Sequence, residues 1–366
     1  MGWFVDCFAD LPDPRTGNAR RHDLFEILTI ALAASVCGGE TCVDFADFAE
    51  MKEEPLRQFL RLENGLPSHD TFSRIFRLLD PQAFSACFSR FAEGLAAAAK
   101  AEGVVAIDGK TLRRSFDRAA GASPLHMVNA FASETRLVLG QVSVADKSNE
   151  IVALRALVDL LDLSGTTVTA DAMHCHKETA AAILRKGGDY VLALKGNQSG
   201  IVADVELMLA DPAIRPDDQA ETTDAEHGRI ETRRAAVYAT PWLGQAHAFP
   251  GLSAIAVIEA TRETDARATT VRRLYCLSKP MSAARALTVV RAHWSVENQL
   301  HWVLDVVLDE DAARNRKDNG PENLGVLRRL ALNLLRLNPL PRSIRRKIKL
   351  AGWNDEFLIA VLAQVR

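Results

Sequence analysis

The spacing of apolar residues predicts helices in the first part of the chain. Apolar side chains recur three or four residues apart, the spacing of one helical face. The residues concerned are Leu24, Ile27, Leu28, Ala31 and Leu32. A second helix is predicted to begin near Ser68, because a polar segment there precedes another apolar series. We therefore predict an α-helical N-terminal domain over residues 1–95.

After residue 103 the pattern changes to short β-like runs that alternate with helical segments. In chain order, the predicted elements are strands at 104–108, 126–132 and 136–144, a helix from Ile151, a strand ending at Asp171, a helix over 179–184 and a strand at 190–194. The order β-β-β-α-β-α-β is that of an RNase H-like core, in which parallel strands joined through helices extend a meander. The predicted fold class is α/β, and residues 96–194 form the first part of this core.

The remainder of the chain divides into two further stretches. Residues 195–280 contain charged turns and short β-branched runs, which predict a mainly β insertion. Residues 281–366 return to helical spacing. We predict that they complete the core with a later helix, which contains Glu297, and end in a basic helical tail.

Three acidic residues occupy positions where they could share one site. Asp108 and Asp171 each follow an apolar run that is predicted to be a strand, and neighbouring parallel strands would present both carboxylates at one sheet edge. A third carboxylate, Glu297, would approach from a packed helix. Each has an alternative role when taken alone, because an Asp after a strand is commonly a turn or cap residue and a helical Glu is usually solvated. Their joint placement suggests two-metal chemistry on phosphodiesters.

The pattern of the predicted helix around Glu297 supports this hypothesis, because it predicts which side of the helix packs on the core. Trp294, Glu297, His301 and Leu304 fall on one helical stripe, so we expect apolar neighbours to press Glu297 toward the core. Carboxylate oxygens suit Mg²⁺ or Mn²⁺. Two such ions ~3.5 to 4 Å apart are held in two-metal sites, and Asp108 would bridge them.

Composition indicates a globular protein with one strongly basic region. The chain has 366 residues, 48% hydrophobic content and a net charge of -3. The first residues and the longest apolar stretch predict neither a secretion signal nor a membrane span, and six cysteines without CxxC pairs favour the cytoplasm. Residues 312–366 hold 12 Lys+Arg against 4 Asp+Glu, a local charge of +8. Such a patch suits a phosphate backbone, although a solvated helical face is the alternative.

Two other motifs are weaker candidates for a functional site. The sequence His174-Cys175-His176 has the residue types of a zinc site, but a strand or tight turn would direct alternate side chains apart, so we expect local packing or hydrogen bonding. The segment Lys195–Gly200 lacks the frame of a nucleotide-binding P-loop.

Several longer stretches together resemble one family. They are AIDGKTLRRS, ADKSNEI, VTADAMHCHKETA, YVLALKGNQ, HGRIETR, HWSVENQLHWVLDVVLDED and RRLALNLLR, together with Asp13-Pro14-Arg15, Arg21-His22 and GLPSHDTF near the N-terminus. The chain resembles insertion-sequence transposases of the ISAs type, the H-repeat-associated proteins of the DDE superfamily. The resemblance covers nearly the whole chain in one linear order.

The resemblance implies DNA transposition by an RNase H-like domain whose metal-binding triad is Asp108, Asp171 and Glu297. It implies cleavage at the element ends, transfer of the freed 3′ hydroxyl to target DNA, and double-stranded DNA as the partner. It also implies a homodimer or larger synaptic complex and a helical N-terminal domain that recognises the terminal repeats. Two alternatives stay open: a nuclease of the same fold without strand transfer, and a catalytically dead DNA-binding relic.

The expected DNA contacts come from basic side chains near the triad and in the tail. They are Lys110, Arg113, Arg114, Lys147, Lys195, Arg291, His301, Arg345, Arg346 and Lys347. Ordinary solvated cations are the alternative. Larger relatives carry a Tyr, an Arg and a Lys at fixed positions in the Glu helix, and here those positions hold Val290, His293 and Leu304. Arg291 and His301 are expected to replace some of their phosphate contacts.

Overall fold

The computed structural model divides the chain into helical ends and a central sheet. It describes residues 2–98, 103–116, 121, 123–144, 149–226, 229–264 and 267–365. Of the helices within these residues, none combines the length and apolar content required to cross a bilayer.

The N-terminal part is helical, as the apolar spacing predicts, and its described residues contain six α-helices. They are α1 (Gly2–Phe8), α2 (Leu24–Val36), α3 (Cys42–Met51), α4 (Glu53–Arg57), α5 (His69–Leu78) and α6 (Pro81–Ala98). Helix α2 begins where Asp23 accepts a hydrogen bond from the Glu26 amide, and α6 begins with a proline whose fixed φ suits the first turn. Arg15 is buried and pairs with Asp13 at 2.9 Å, so it helps to fix the segment before α2.

The first five strands and two helices follow the predicted order β-β-β-α-β-α-β. They are β1 (Val104–Thr111), β2 (His126–Ala132), β3 (Leu137–Val144), α7 (Glu150–Leu160), β4 (Thr167–Ala170), α8 (Lys177–Arg185) and β5 (Asp189–Leu194). Within the sheet they lie in the order β3-β2-β1-β4-β5. Strand β2 is antiparallel to β1 and β3, whereas β1, β4 and β5 run parallel.

Residues after β5 contain the four further strands of the predicted β insertion. The elements are α9 (Ser199–Ala210), β6 (Asp218–Glu226), β7 (Arg229–Ala239), α10 (Pro241–Ala246), β8 (Ala254–Thr264) and β9 (Arg267–Leu277). Strand β9 pairs antiparallel with β5, from Val191–Leu277 to Leu194–Leu274. These four strands therefore extend the central sheet, which in the described residues has nine strands in the order β3-β2-β1-β4-β5-β9-β8-β7-β6.

The C-terminal part is helical and packs on the N-terminal helices. It contains α11 (Ala283–His293), a π-helical turn (Glu297–His301), α12 (Trp302–Val306), α13 (Gly320–Leu337), α14 (Ile344–Trp353) and α15 (Asp355–Leu362). Helix α13 contacts α2, α5, α6 and β3. One hydrophobic cluster runs from Cys7 to Leu362, so both ends of the chain contribute to the core that supports β1 to β5.

Candidate active site

The pairing register of the parallel strands brings Asp108 and Asp171 side by side. Ile107 of β1 is the partner of Ala170 of β4, and each is followed directly by an aspartate. Strand β1 does not end at residue 108, as the sequence predicted, because pairing with β2 continues it to Thr111. Asp108 lies where the parallel pairing ends. Its side chain is half-buried, whereas that of Asp171 is largely exposed.

The two aspartates differ in their electrostatic setting. Burial raises the pKa of Asp108, and the neighbouring Asp171 raises it further, while His301 and His293 oppose the shift. The contact of His293 with Asp171 lowers the pKa of Asp171. His293 Nε2 lies 3.5 Å from Asp171 Oδ1, and the other ring nitrogen is 3.0 Å from the Thr169 hydroxyl, which fixes the ring. The site thus combines a carboxylate that resists ionisation with one that favours it.

Glu297 reaches the site from a π-helical turn that the sequence did not indicate. The turn begins at Glu297 and ends at His301. The prediction that Trp294 and Glu297 face the core is wrong: Trp294 is 51% exposed and the Glu297 side chain 66% exposed. Val296, Leu300 and Leu304 are the buried apolar residues of this segment. A π-helical turn has more residues per turn than an α-helix, so the predicted stripe does not continue through it.

His301 joins Glu297 to Asp108. The His301 side chain is 5% exposed. Its Nδ1 lies 3.0 Å from Glu297 Oε2 and 3.6 Å from Asp108 Oδ2. Asp108, Glu297 and His301 each offer a ligand atom within 4.8 Å of the others, which is a spacing suited to a metal ion. Within the described residues Asp171 is not part of this group, although it lies beside Asp108.

His174 contributes hydrogen bonding just after Asp171 in the chain, as the sequence suggested for the His-Cys-His segment. His174 Nε2 is 3.1 Å from Glu150 Oε1, and His126 Nε2 is 2.9 Å from Glu150 Oε2. All three side chains are buried. Although burial alone would raise the pKa of Glu150, these two contacts lower it to about 2. The ionised Glu150 therefore ties α7 to β2 and to the segment after Asp171.

Lys110 is buried, which corrects the prediction that it contacts DNA. Its ammonium group lies 2.6 Å from Asp305 Oδ1, 3.2 Å from Asp311 Oδ1 and 3.4 Å from Glu310 Oε2. Burial alone would lower the pKa of Lys110, but the three carboxylates raise it. Lys110 thus connects β1, two residues beyond Asp108, to the segment that follows the Glu297 turn.

Replacing Lys110 with methionine is expected to destabilise the protein by roughly 1–3 kcal/mol, because carboxylates that are partly desolvated lose their cation. Denaturant unfolding of the variant measures this change. Arg113→Met is the matched control, since Arg113 is 80% exposed and contacts the same Asp311 at 3.3 Å. Equal stability of the two variants would contradict the structural role of Lys110.

Of the other basic residues predicted to contact DNA, some are buried and some are exposed. Lys347 is 4% exposed and its ammonium donates to the carbonyls of Leu335 and Asn338 at 2.9 and 2.6 Å, so it too is corrected to a structural role. His301 lies in the site described above. Lys147 falls outside the described residues. The exposed cations are Arg113, Arg114, Lys195, Arg291, Arg345 and Arg346.

The basic tail, residues 312–366, contains both buried and exposed cations. Arg328, Arg329 and Lys347 are buried, so they do not add to the surface charge available to a ligand. Arg345 donates a hydrogen bond to the Val306 carbonyl at 2.8 Å. The exposed start of α14 therefore lies against the end of α12, on the segment that begins with Glu297.

Comparisons with known proteins match transposase families over most of the chain. Residues 99–334 match the family described as "Transposase DDE domain", and residues 5–92 match the family described as "DDE_Tnp_1-associated". A protein from the dhlA 3′ region of Xanthobacter autotrophicus is 44% identical over 274 residues, which cover 74% of this chain and 92% of that protein. The "H repeat-associated putative transposase YhhI" of Escherichia coli K12 is 33% identical over 365 residues and 96% of each chain.

Among solved structures, the chain aligns with the piggyBac transposase synaptic complex with hairpin DNA. The TM-score is 0.39 and the identity 11%, over 99% of this chain and 78% of that one. A similarity at this level supports no conclusion.

Proposed function

Because the chain belongs to the family of proteins with a transposase DDE domain, we propose that it is the transposase of an insertion sequence, which cuts DNA at the element ends and joins the freed 3′ ends to target DNA. The observation that carries the catalytic part is the convergence of Asp108, Asp171 and Glu297. The β1–β4 register sets the first two side by side, and His301 holds the third next to Asp108.

The three carboxylates are the proposed ligands of two divalent cations, Mg²⁺ or Mn²⁺. Asp108 is central, because it lies close to both Asp171 and Glu297. Burial raises the pKa of Asp108, and bound cations would lower it again by stabilising the charged carboxylate. The residues present therefore fit such ions. Cations held there would supply an activated water and stabilise the leaving 3′ oxygen. The strand order β3-β2-β1-β4-β5 supports an RNase H-like core for this chemistry.

The helical part over residues 1–95 is proposed to recognise the element ends, and residues 195–280 to form an insertion in the core. Both ends of an element must be joined, so a homodimer or larger synaptic complex is expected. Double-stranded DNA is the partner. Its backbone would contact the exposed cations around the site and at the start of α14: Arg113, Arg114, Lys195, Arg291, Arg345 and Arg346.

The test of the function is an assay with duplex DNA that carries the inverted repeats flanking the gene. With Mg²⁺, the full chain should cut at the repeat ends and join the 3′ ends to a second duplex. Cutting without joining would favour the nuclease alternative. Binding without cutting would favour the relic.

Neutralising Arg345 and Arg346 should weaken DNA binding more at low salt than at high salt. For each phosphate that the protein no longer neutralises, the slope of log affinity against log salt should become shallower by about 0.9, because fewer counterions are released. The measurement is a salt titration of duplex affinity for Arg345→Gln/Arg346→Gln. The control is Arg185→Gln/Arg285→Gln, which removes the same charge from exposed positions on α8 and α11. Identical slopes for both pairs would remove α14 from the DNA interface.

A further inference from the structure

We propose that His301 is a metal ligand, so that the cation shared by Asp108 and Glu297 occupies a mixed carboxylate–imidazole site. This inference rests on the proposed function and specifies the composition of one of its two metal sites. The prediction that His301 contacts phosphate is replaced, because its ring is buried and faces two carboxylates instead of the surface.

The distances fit three ligands of one ion. Ligand atoms at ~2.1 Å from one cation lie at most about 4.2 Å from each other. His301 Nδ1 is 3.0 Å from Glu297 Oε2 and 3.6 Å from Asp108 Oδ2, and the ligand atoms of all three residues lie within 4.8 Å of one another. Both distances from His301 Nδ1 are within the limit for one ion, and a small movement of the two carboxylates toward each other brings all three ligand atoms within it.

The backbone around His301 holds this ligand in place. Glu297 and His301 are the first and last residues of the π-helical turn, a local geometry that recurs at functional sites. Leu300, next to His301 in the chain, and Leu304 are fully buried in the hydrophobic core, so the turn is anchored to the core. Glu297 itself is largely exposed, and its contact with His301 orients its carboxylate toward Asp108. The imidazole is thus the rigid member of the set.

A nitrogen ligand changes the metal preference. Mg²⁺ takes oxygen ligands in near-ideal octahedral geometry, whereas first-row transition metals accept imidazole readily. We therefore expect the wild-type chain to bind Mn²⁺ more tightly than Mg²⁺. Replacing His301 with asparagine should raise the Mn²⁺ dissociation constant by ~10-fold or more and change Mg²⁺ binding less.

The decisive readout is pulsed electron paramagnetic resonance of Mn²⁺ bound to the full chain without DNA. Wild type should show coupling of Mn²⁺ to a directly bound ¹⁴N nucleus, and His301→Asn should lose it. His293→Asn should keep it, because His293 faces Asp171 instead. Labelling all histidines with ¹⁵N in the wild-type chain should convert the coupling to that of ¹⁵N, a result that does not depend on the folding of any variant.

The outcomes separate this inference from the function on which it rests. Bound Mn²⁺ without nitrogen coupling, or coupling that disappears in His293→Asn and persists in His301→Asn, overturns the assignment of His301 while metal-dependent cleavage stands. A chain that neither binds Mn²⁺ nor cuts element ends overturns both. Nitrogen coupling that requires His301 supports the assignment even if strand transfer is absent.

Discussion

Replacing Asp108 with asparagine is expected to abolish metal-dependent cleavage of element-end DNA, with a loss of ~10³-fold or more, since several kcal/mol of metal-held stabilisation would disappear. The effect should exceed that of any other single change in the site, because Asp108 is the carboxylate that lies beside both Asp171 and Glu297. The measurement is single-turnover cleavage at saturating protein and Mg²⁺.

The Asp108→Asn variant should fold normally, so its inactivity would be chemical. Asparagine has nearly the same shape, and burial already disfavours the charge of Asp108 by raising its pKa. Equal or greater stability than wild type in urea would support this reasoning. Asp159→Asn, an exposed position on α7, is the matched control and should cut at the wild-type rate. Cleavage by Asp108→Asn within a few fold of wild type would remove Asp108 from the catalytic residues.

The order of the core elements, and the bounds of several of them, could be predicted because local patterns determine them. Short β-like runs at 126–132 and 190–194 predicted strands that the structure contains as His126–Ala132 and Asp189–Leu194. The helix starting near Ser68 was confirmed as His69–Leu78. The two strands are short runs buried at most or all positions, and the helix buries residues three or four apart, so each element is recognisable within its own ten or so residues.

Contacts between distant parts of the chain could not be predicted from such patterns. Lys110 looked like a free cation near a strand end, yet its partners are Asp305, Glu310 and Asp311, about 200 residues later in the chain. The π-helical turn at Glu297 consists of residues that are also common in α-helices, so the sequence does not distinguish the two. The pairing of β9 with β5 joins β6 to β9 to the central sheet, and it was not predicted because the two strands are about 80 residues apart in the chain.

Replacing Arg329 with methionine is expected to destabilise the protein by about 3–5 kcal/mol, the cost of leaving a buried carboxylate without its main partner. Arg329 and Glu310 are both 0% exposed at their side chains, and Nη1 lies 2.6 Å from Oε1. Arg329 also donates to Asn129 Oδ1 at 2.6 Å, which links α13 to β2 beside Asp108. Although burial alone would raise the pKa of Glu310, Arg329 and Lys110 hold it well below its usual range.

The pH dependence and a second variant test this explanation. Because the pKa of Glu310 is depressed on folding, its stabilising contribution is present above its unfolded pKa and is lost as the pH falls through the folded pKa. Urea unfolding at neutral pH should show the loss in Arg329→Met, and Arg329→Met/Glu310→Met should recover part of it by removing the unpaired charge. Arg342→Met, an exposed position before α14, should change stability by less than about 0.5 kcal/mol. If the double variant were as unstable as the sum of both single variants, poorer packing, not the buried charge, would explain the effect.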